Sequence, residues 1–268
     1  MVSKINKSAF IILFIILVIT FFARNNYRNV DNINAESLKE PVQTEVANNA
    51  KIEFTKDEYE YILTPLFDYE ISGIVVSKKD YTLFSIYKKD SVFPLDLCII
   101  WGDNVESKVF QKKSLTFGQD MRFCFVRWSE PLSFSTTQFS NSHFVIESDA
   151  LENKMQKISV GDQIKVKGKL VNIKAKNIGN PGEFDPEVFN WNTSTVRDDD
   201  GAGACETIFV EDFEILEKAN VFQHSLFRFS LNGLILLIVI NIFMFFFNVY
   251  KTKNSVEEEE NIIFPDEF

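Results

Sequence analysis

Residues Gln163 to Ile173 read QIKVKGKLVNI. Ile164, Val166 and Leu170 fall on one side of an extended chain and Lys165, Lys167 and Lys169 on the other, because successive side chains of a strand point to opposite faces. The alternation predicts a half-buried strand with a lysine-coated outer face. That row also reads as an anion-binding strip, but in an acidic domain a solvated face that discourages edge pairing fits it better.

Outward from this strand the pattern stays mostly β. Tyr69 to Ser77 (YEISGIVVS), Leu95 to Trp101 (LDLCIIW), Met121 to Trp128 (MRFCFVRW) and Glu206 to Leu216 (ETIFVEDFEIL) are rich in β-branched and aromatic residues and bounded by turn chemistry. One helix is expected at Asp149 to Ile158, where Leu151, Met155 and Ile158 share a side and Asp149 lies at the cap or in the first turn. Together they predict a small barrel with one or two short helices over about residues 51–218. Its strands at 69–77 and 163–173 are expected to be closed, or nearly so, by the one at 206–216.

The run ISVGDQIKVKGKLV, followed by ETIFVEDFEIL, resembles the second half of an OB-fold, and Gly73 would match the glycine that lets the first strand bend. In their order, CIIWGDN, SNSHFVI, VGDQIKVKGKLV and STVRDDDGAGACETIFVEDFEIL also resemble an uncharacterised bacterial family of membrane-anchored proteins with an OB-fold-like domain. That resemblance implies a shared fold and location and brings no activity with it.

Two apolar runs frame the domain. Phe229 to Tyr250 (FSLNGLILLIVINIFMFFFNVY) carries no charge, follows Arg228 and precedes Lys251 and Lys253, which predicts a helix across the hydrocarbon layer. Ser8 to Ala23 (SAFIILFIILVITFFA) is shorter, and snorkelling Lys7 and Arg24 can extend it. Phe21, Phe22 and Ala23 supply one small residue where a cleavage site wants two, so an uncleaved anchor is expected. Residues 1–7 form an N-terminal tail in this reading. The Asn-rich stretch 24–50 reads as a flexible spacer, and 251–268, with Glu257 to Glu260, as an acidic C-terminal tail. Two spans put both termini on one side. Basic residues near the spans tie, and the uncleaved anchor favours cytoplasmic termini with an extracytoplasmic β domain in a cell membrane.

The 268 residues are 46% hydrophobic, and 28 Phe outnumber 10 Gly plus 7 Pro, which excludes disordered and collagenous classes. With 38 acidic against 28 basic residues the net charge is -10, opposite in sign to what a phosphate backbone attracts, so nucleic acid is not an expected partner. The expected partners are the membrane and another envelope or membrane protein. Three cysteines are too few for a disulfide scaffold or a paired-cysteine zinc site. Cys98 and Cys124 sit mid-strand and read as buried free thiols, with a disulfide between them as the alternative.

The unusual loop is Thr193 to Glu206, TSTVRDDDGAGACE. Asp198, Asp199 and Asp200 resemble the start of a calcium loop, but the acids that an EF-hand needs further on are missing, and a solvated turn is the better reading. Cys205, His143 and Arg197 are the candidate catalytic residues, with Cys205 and His143 as a thiol and base that Asn141 or an aspartate would orient. Gly201 and Gly203 let the loop turn sharply, and Arg197 is expected to pair with Asp198 to Asp200 or with Glu206. No P-loop, dinucleotide-binding glycine pattern, GxSxG or HExxH motif occurs, and no cofactor is expected. The expected function is a binding or assembly module in the cell envelope, with a membrane-bound enzyme using the 197–206 loop as its rival.

Overall fold

Two long apolar helices and a β-rich region make up the chain in a computed structural model that describes residues 2–47, 49–82, 92–179, 187–199 and 204–263. Contacts divide it into a helical unit, Met1–Arg24 with Val221–Phe268, and a β unit, Asn25–Asn220.

In the helical unit, α1 (Val2–Ala23) packs with α4 (Val221–Ile263). The apolar runs sit inside longer helices than expected, since α1 takes in most of the proposed N-terminal tail and α4 runs on past Lys251 and Lys253 to residue 263. Gly233 brings the helices close, because a Cβ there would lie 3.0 Å from Leu13 Cδ1. Polar side chains return to their own helix: Thr20 donates to Ile16 O (2.7 Å), Ser230 to Phe227 O (2.9 Å) and Asn241 to Leu237 O (2.7 Å). Asn6–Ala23 and Val221–Asn254 are long and apolar enough to cross a membrane.

The β unit is a mixed eight-stranded sheet plus a separate hairpin. In chain order its elements are β1 (Val42–Glu45), β2 (Ile52–Lys56), β3 (Tyr59–Asp80), β4 (Leu95–Ile100), α2 (Asp103–Glu106), the hairpin β5 (Leu115–Asp120) and β6 (Phe123–Trp128), β7 (Phe139–Val145), α3 (Asp149–Met155), β8 (Gln163–Asn177), β9 (Val188–Trp191) and β10 (Glu206–Glu217). Each of the five expected strands is a strand, and the helix forms where expected. β3 is antiparallel to β8 from Tyr59↔Asn177 to Ile74↔Gln163 and to β4 from Ile74↔Ile100 to Asp80↔Leu95. β4 pairs β7, β7 runs parallel to β10, and β10 pairs β8. The sheet is not the small closed barrel expected from the sequence: β1 and β2 add to β3 and β9 adds to β8, which makes a larger mixed sheet.

Ile71, Leu97, Ile99, Trp101, Phe144 and Ile164 are fully buried in the main core, with Met155 of α3 packed against them. The pleat of β8 buries Ile164, Val166 and Leu170 as read. Its lysines are less free than expected. Lys167 stands exposed, whereas Lys165 is half-buried between Glu36 (3.1 Å) and Glu70 (2.5 Å), and Lys169 pairs with Asp68. Hydrogen bonding to these acids raises the Lys165 and Lys169 pKa values. Gly73 meets a tight crossing, since a Cβ would stand 2.4 Å from Ile100 O.

Two further expectations need correction. The stretch 24–50 is not a flexible spacer. Tyr27 and Val30 are buried, Ser37 is buried, and β1 pairs β3. Two of its asparagines cap short 3-10 turns: Asn26 accepts from Arg28 N and Asn34 from Glu36 N, both at 3.0 Å. Cys98 and Cys124 are not free thiols but a disulfide with Cα atoms 5.8 Å apart, tying β6 to β4.

Candidate functional site

The chemistry-bearing residues gather on the parallel β7–β10 pair and its neighbour β4. In register, His143 lies opposite Thr207 and Asp96, while Ser142 lies opposite Glu206 and Leu97. Because side chains alternate, Asp96, Cys98, Asn141, His143, Cys205 and Thr207 share one face, and Ser140, Ser142 and Glu206 share the other.

On the first face, Asp96 is fully buried and takes both oxygens to Arg122 Nη1 (3.0 and 3.2 Å). Its Oδ1 is also 2.9 Å from His143 Nδ1. Arg122 stacks on Tyr81, 3.9 Å from the ring centroid, and its carbonyl accepts from Asn141 Nδ2 (2.9 Å). The same Asn141 nitrogen is 2.9 Å from Cys205 Sγ. Trp191 meets the His143 ring edge to face at 5.2 Å, with Phe93 at 5.6 Å. His143 Nε2, Asn141 Oδ1 and Thr207 Oγ1 are buried without a hydrogen-bond partner. Burial pushes the Cys205 thiol up to about 11, against a smaller opposing pull from the Asn141 N–H. The free Cys205 is therefore a neutral thiol at physiological pH, unlike an activated nucleophile.

On the second face, Glu206 is paired with Arg197 and accepts from Ser140 Oγ at 2.8 Å, and Ser140 meets Ser142 Oγ at 2.6 Å. Arg197 also donates to the Tyr69 hydroxyl and lies 5.0 Å from the Tyr69 ring and 5.5 Å from the Trp101 ring. Burial raises the Glu206 carboxyl, with Arg197 and Ser140 pulling the other way, and burial followed by the charge of Glu206 raises the Tyr69 phenol.

The candidates thus separate. Cys205 and His143 lie on one face with Asn141 between β4 and β10, while Arg197 answers Glu206 on the other. Of the acidic loop, Asp198 and Asp199 are exposed, Asp199 accepts from Ser194 Oγ, and Asp200, Gly201 and Gly203 lie outside the described residues. Among the described residues no group of three or more His, Cys, Asp or Glu could hold a metal ion. Sequence reasoning missed Asp96 and Arg122. The available signal was a lone aspartate within the apolar run LDLCII, where a buried charge demands a partner.

No family model, curated protein or solved structure matches the chain.

Proposed function

We propose that the chain is a two-span membrane protein that presents an acidic, OB-like β domain outside the cytoplasm as a binding or assembly module of the cell envelope. The observation that carries the reading is the bareness of the helices. Phe22 is 76% and Phe243 71% exposed, and large apolar side chains line both helices with nothing among the described residues over them, a surface that water penalises and lipid accepts. Polar side chains that bond back to their own helices fit the same surroundings.

Several features support the finer parts. The pairing circuit β3, β4, β7, β10, β8 and back to β3, with α3 between β7 and β8, supports the OB-like reading, in which β1, β2 and β9 are additions to a five-stranded core. The Cys98–Cys124 disulfide belongs in an oxidising compartment, which favours an extracytoplasmic domain. The reading also keeps the likeness to bacterial membrane-anchored proteins as a working relation. A thiol enzyme is the weaker reading because the Cys205 thiol is held neutral and Arg197 is turned to the opposite face. The partner we assign is a membrane or envelope protein, met by apolar side chains left bare on the hairpin, Met121 (73% exposed) and Phe123 (41%).

Reporter fusions test the topology. A cytoplasm-active reporter should work after Val256 and an exported one within the domain, and the reverse pattern would overturn the assignment.

A further inference from the structure

We propose that Asn241, which stands bare near the midpoint of the apolar run of α4, pairs with Asn241 of a second copy of this chain inside the membrane. The inference rests on the membrane reading above and adds a partner to it.

The first argument is an unmet amide. The run from Phe229 to Tyr250 carries no charge. At the rise of an α-helix Asn241 lies about 18 Å from Phe229 and about 14 Å from Tyr250 along the axis. Its depth is therefore close to the centre of a hydrocarbon layer about 30 Å thick. One N–H of the amide is used, Nδ2 donating to Leu237 O at 2.7 Å. The second N–H and Oδ1 have no partner among the described residues, and the side chain is exposed. Lipid tails neither donate nor accept, so these groups stay costly until something polar reaches them.

The second argument is the face on which the amide stands. Roughly three helical turns separate Ser230 from Asn241 and roughly two separate Asn241 from Asn248, which sets all three on one side of α4. The stripe is covered at its start, where Ser230 and Leu234 are buried and Leu13 of α1 lies against Gly233. Further on it is bare. Asn241 and Asn248 are both exposed, and Asn241 is the one polar residue lining an apolar groove of about 510 Å³ with Phe10 of α1 and Ile238, Ile242, Phe245 and Phe246 of α4.

The third argument is self-complementarity. Copies with one topology cross the bilayer in parallel, so a two-fold pairing of α4 helices brings the same residue to the same depth on both sides. Nδ2 of each Asn241 then donates to Oδ1 of the other, and Asn248 follows at the seven-residue spacing that keeps two helices in register. A helix of another protein would answer only by carrying an amide at that depth, whereas a second copy always does.

The test reconstitutes the full-length chain, labelled at its C-terminus with a donor or an acceptor fluorophore, in phosphatidylcholine vesicles at low protein density. Donor fluorescence is expected to fall linearly with the fraction of acceptor-labelled copies, the signature of pairs. The association constant should drop about tenfold in Asn241→Leu and less in Asn241→Gln, which keeps an amide. It should be unchanged in Asn232→Leu, because that side chain lies on the opposite side of α4. Energy transfer that is unchanged in Asn241→Leu, or that falls equally in Asn232→Leu, overturns pairing through this amide. No transfer while the chain still floats with the vesicles overturns self-association and leaves the membrane reading standing. A chain that fails to float with vesicles after alkaline washing removes the membrane reading itself, and this proposal with it.

Discussion

The two faces of the β7–β10 pair carry the same kinds of residue to different ends. Around Glu206 the network closes, with one guanidinium, two serine hydroxyls and a tyrosine hydroxyl converging on or beside one buried carboxylate. Around Asp96 it stays open, because Arg122 and His143 share the carboxylate while His143 Nε2, Asn141 Oδ1 and Thr207 Oγ1 are left without partners. A closed polar network fixes local geometry, whereas an open one keeps buried groups whose desolvation is not returned. The β7–β10 pair therefore has a closed side and an open side, one residue apart in sequence.

The sharpest way to break the contrast is Asp96→Ala, which removes the buried carboxylate that Arg122 and His143 share. Removing one partner of a buried pair costs about 4 kcal/mol. Urea unfolding of the detergent-solubilised chain should show a loss of that size, and a loss under about 1 kcal/mol would mean that Asp96 is not the pivot of its face.

Arg197→Ala should cost less, and its cost should depend on pH. Burial raises the folded-state pKa of Glu206, so the folded protein keeps the proton above the pH at which the unfolded chain releases it. The stability tied to this group is present at acidic pH and lost as pH rises through the folded value. Without Arg197 the positive charge that opposes that loss is gone, so the substitution should cost more at pH 8 than at pH 5. Parallel unfolding curves at the two pH values check it, and a cost that falls with pH would contradict the closed network.

Cys205→Ser should be the mildest, at about 1 kcal/mol near neutral pH. The thiol's folded value of about 11 exceeds its ordinary 9.0, so wild-type stability should decline as pH rises between those values and the serine variant should lack that decline. Native Cys205 should also resist thiol reagents at pH 7 and react on unfolding. Rapid labelling of the folded chain, with function lost on substitution, would turn the open face into a reactive one.

How much of this was legible differs by residue. The alternation of β8 was plain in QIKVKGKLVNI, because burial on one face leaves a period-two trace in the sequence. So was the helix at 149–155, marked by its acidic first turn. The segment 24–50 misled because asparagine serves both solvation and capping, and only Tyr27 and Val30 hinted at packing. β7, FSNSHFV, went unassigned because its serines and histidine face buried polar partners, which removes the apolar contrast that marks a strand. At the candidate site, Cys205, His143 and Arg197 were named from their scarcity and from the loop around them. Their division between two faces could not be read without the register of β10 against β7.

The sequence alone determined what is local: two helices long and apolar enough to cross a membrane, strands between them, and, in β8, which residues turn inward. These follow from hydropathy and period, which each segment carries by itself. Tertiary structure decided which distant residues meet. It joined Cys98 to Cys124, set Arg122 on Asp96, brought Asn141 against Cys205, and wrapped residues 27–45 onto the sheet. Pairing register makes that decision, because shifting one strand by one residue carries every side chain to the opposite face, and no segment read alone records its partner's register.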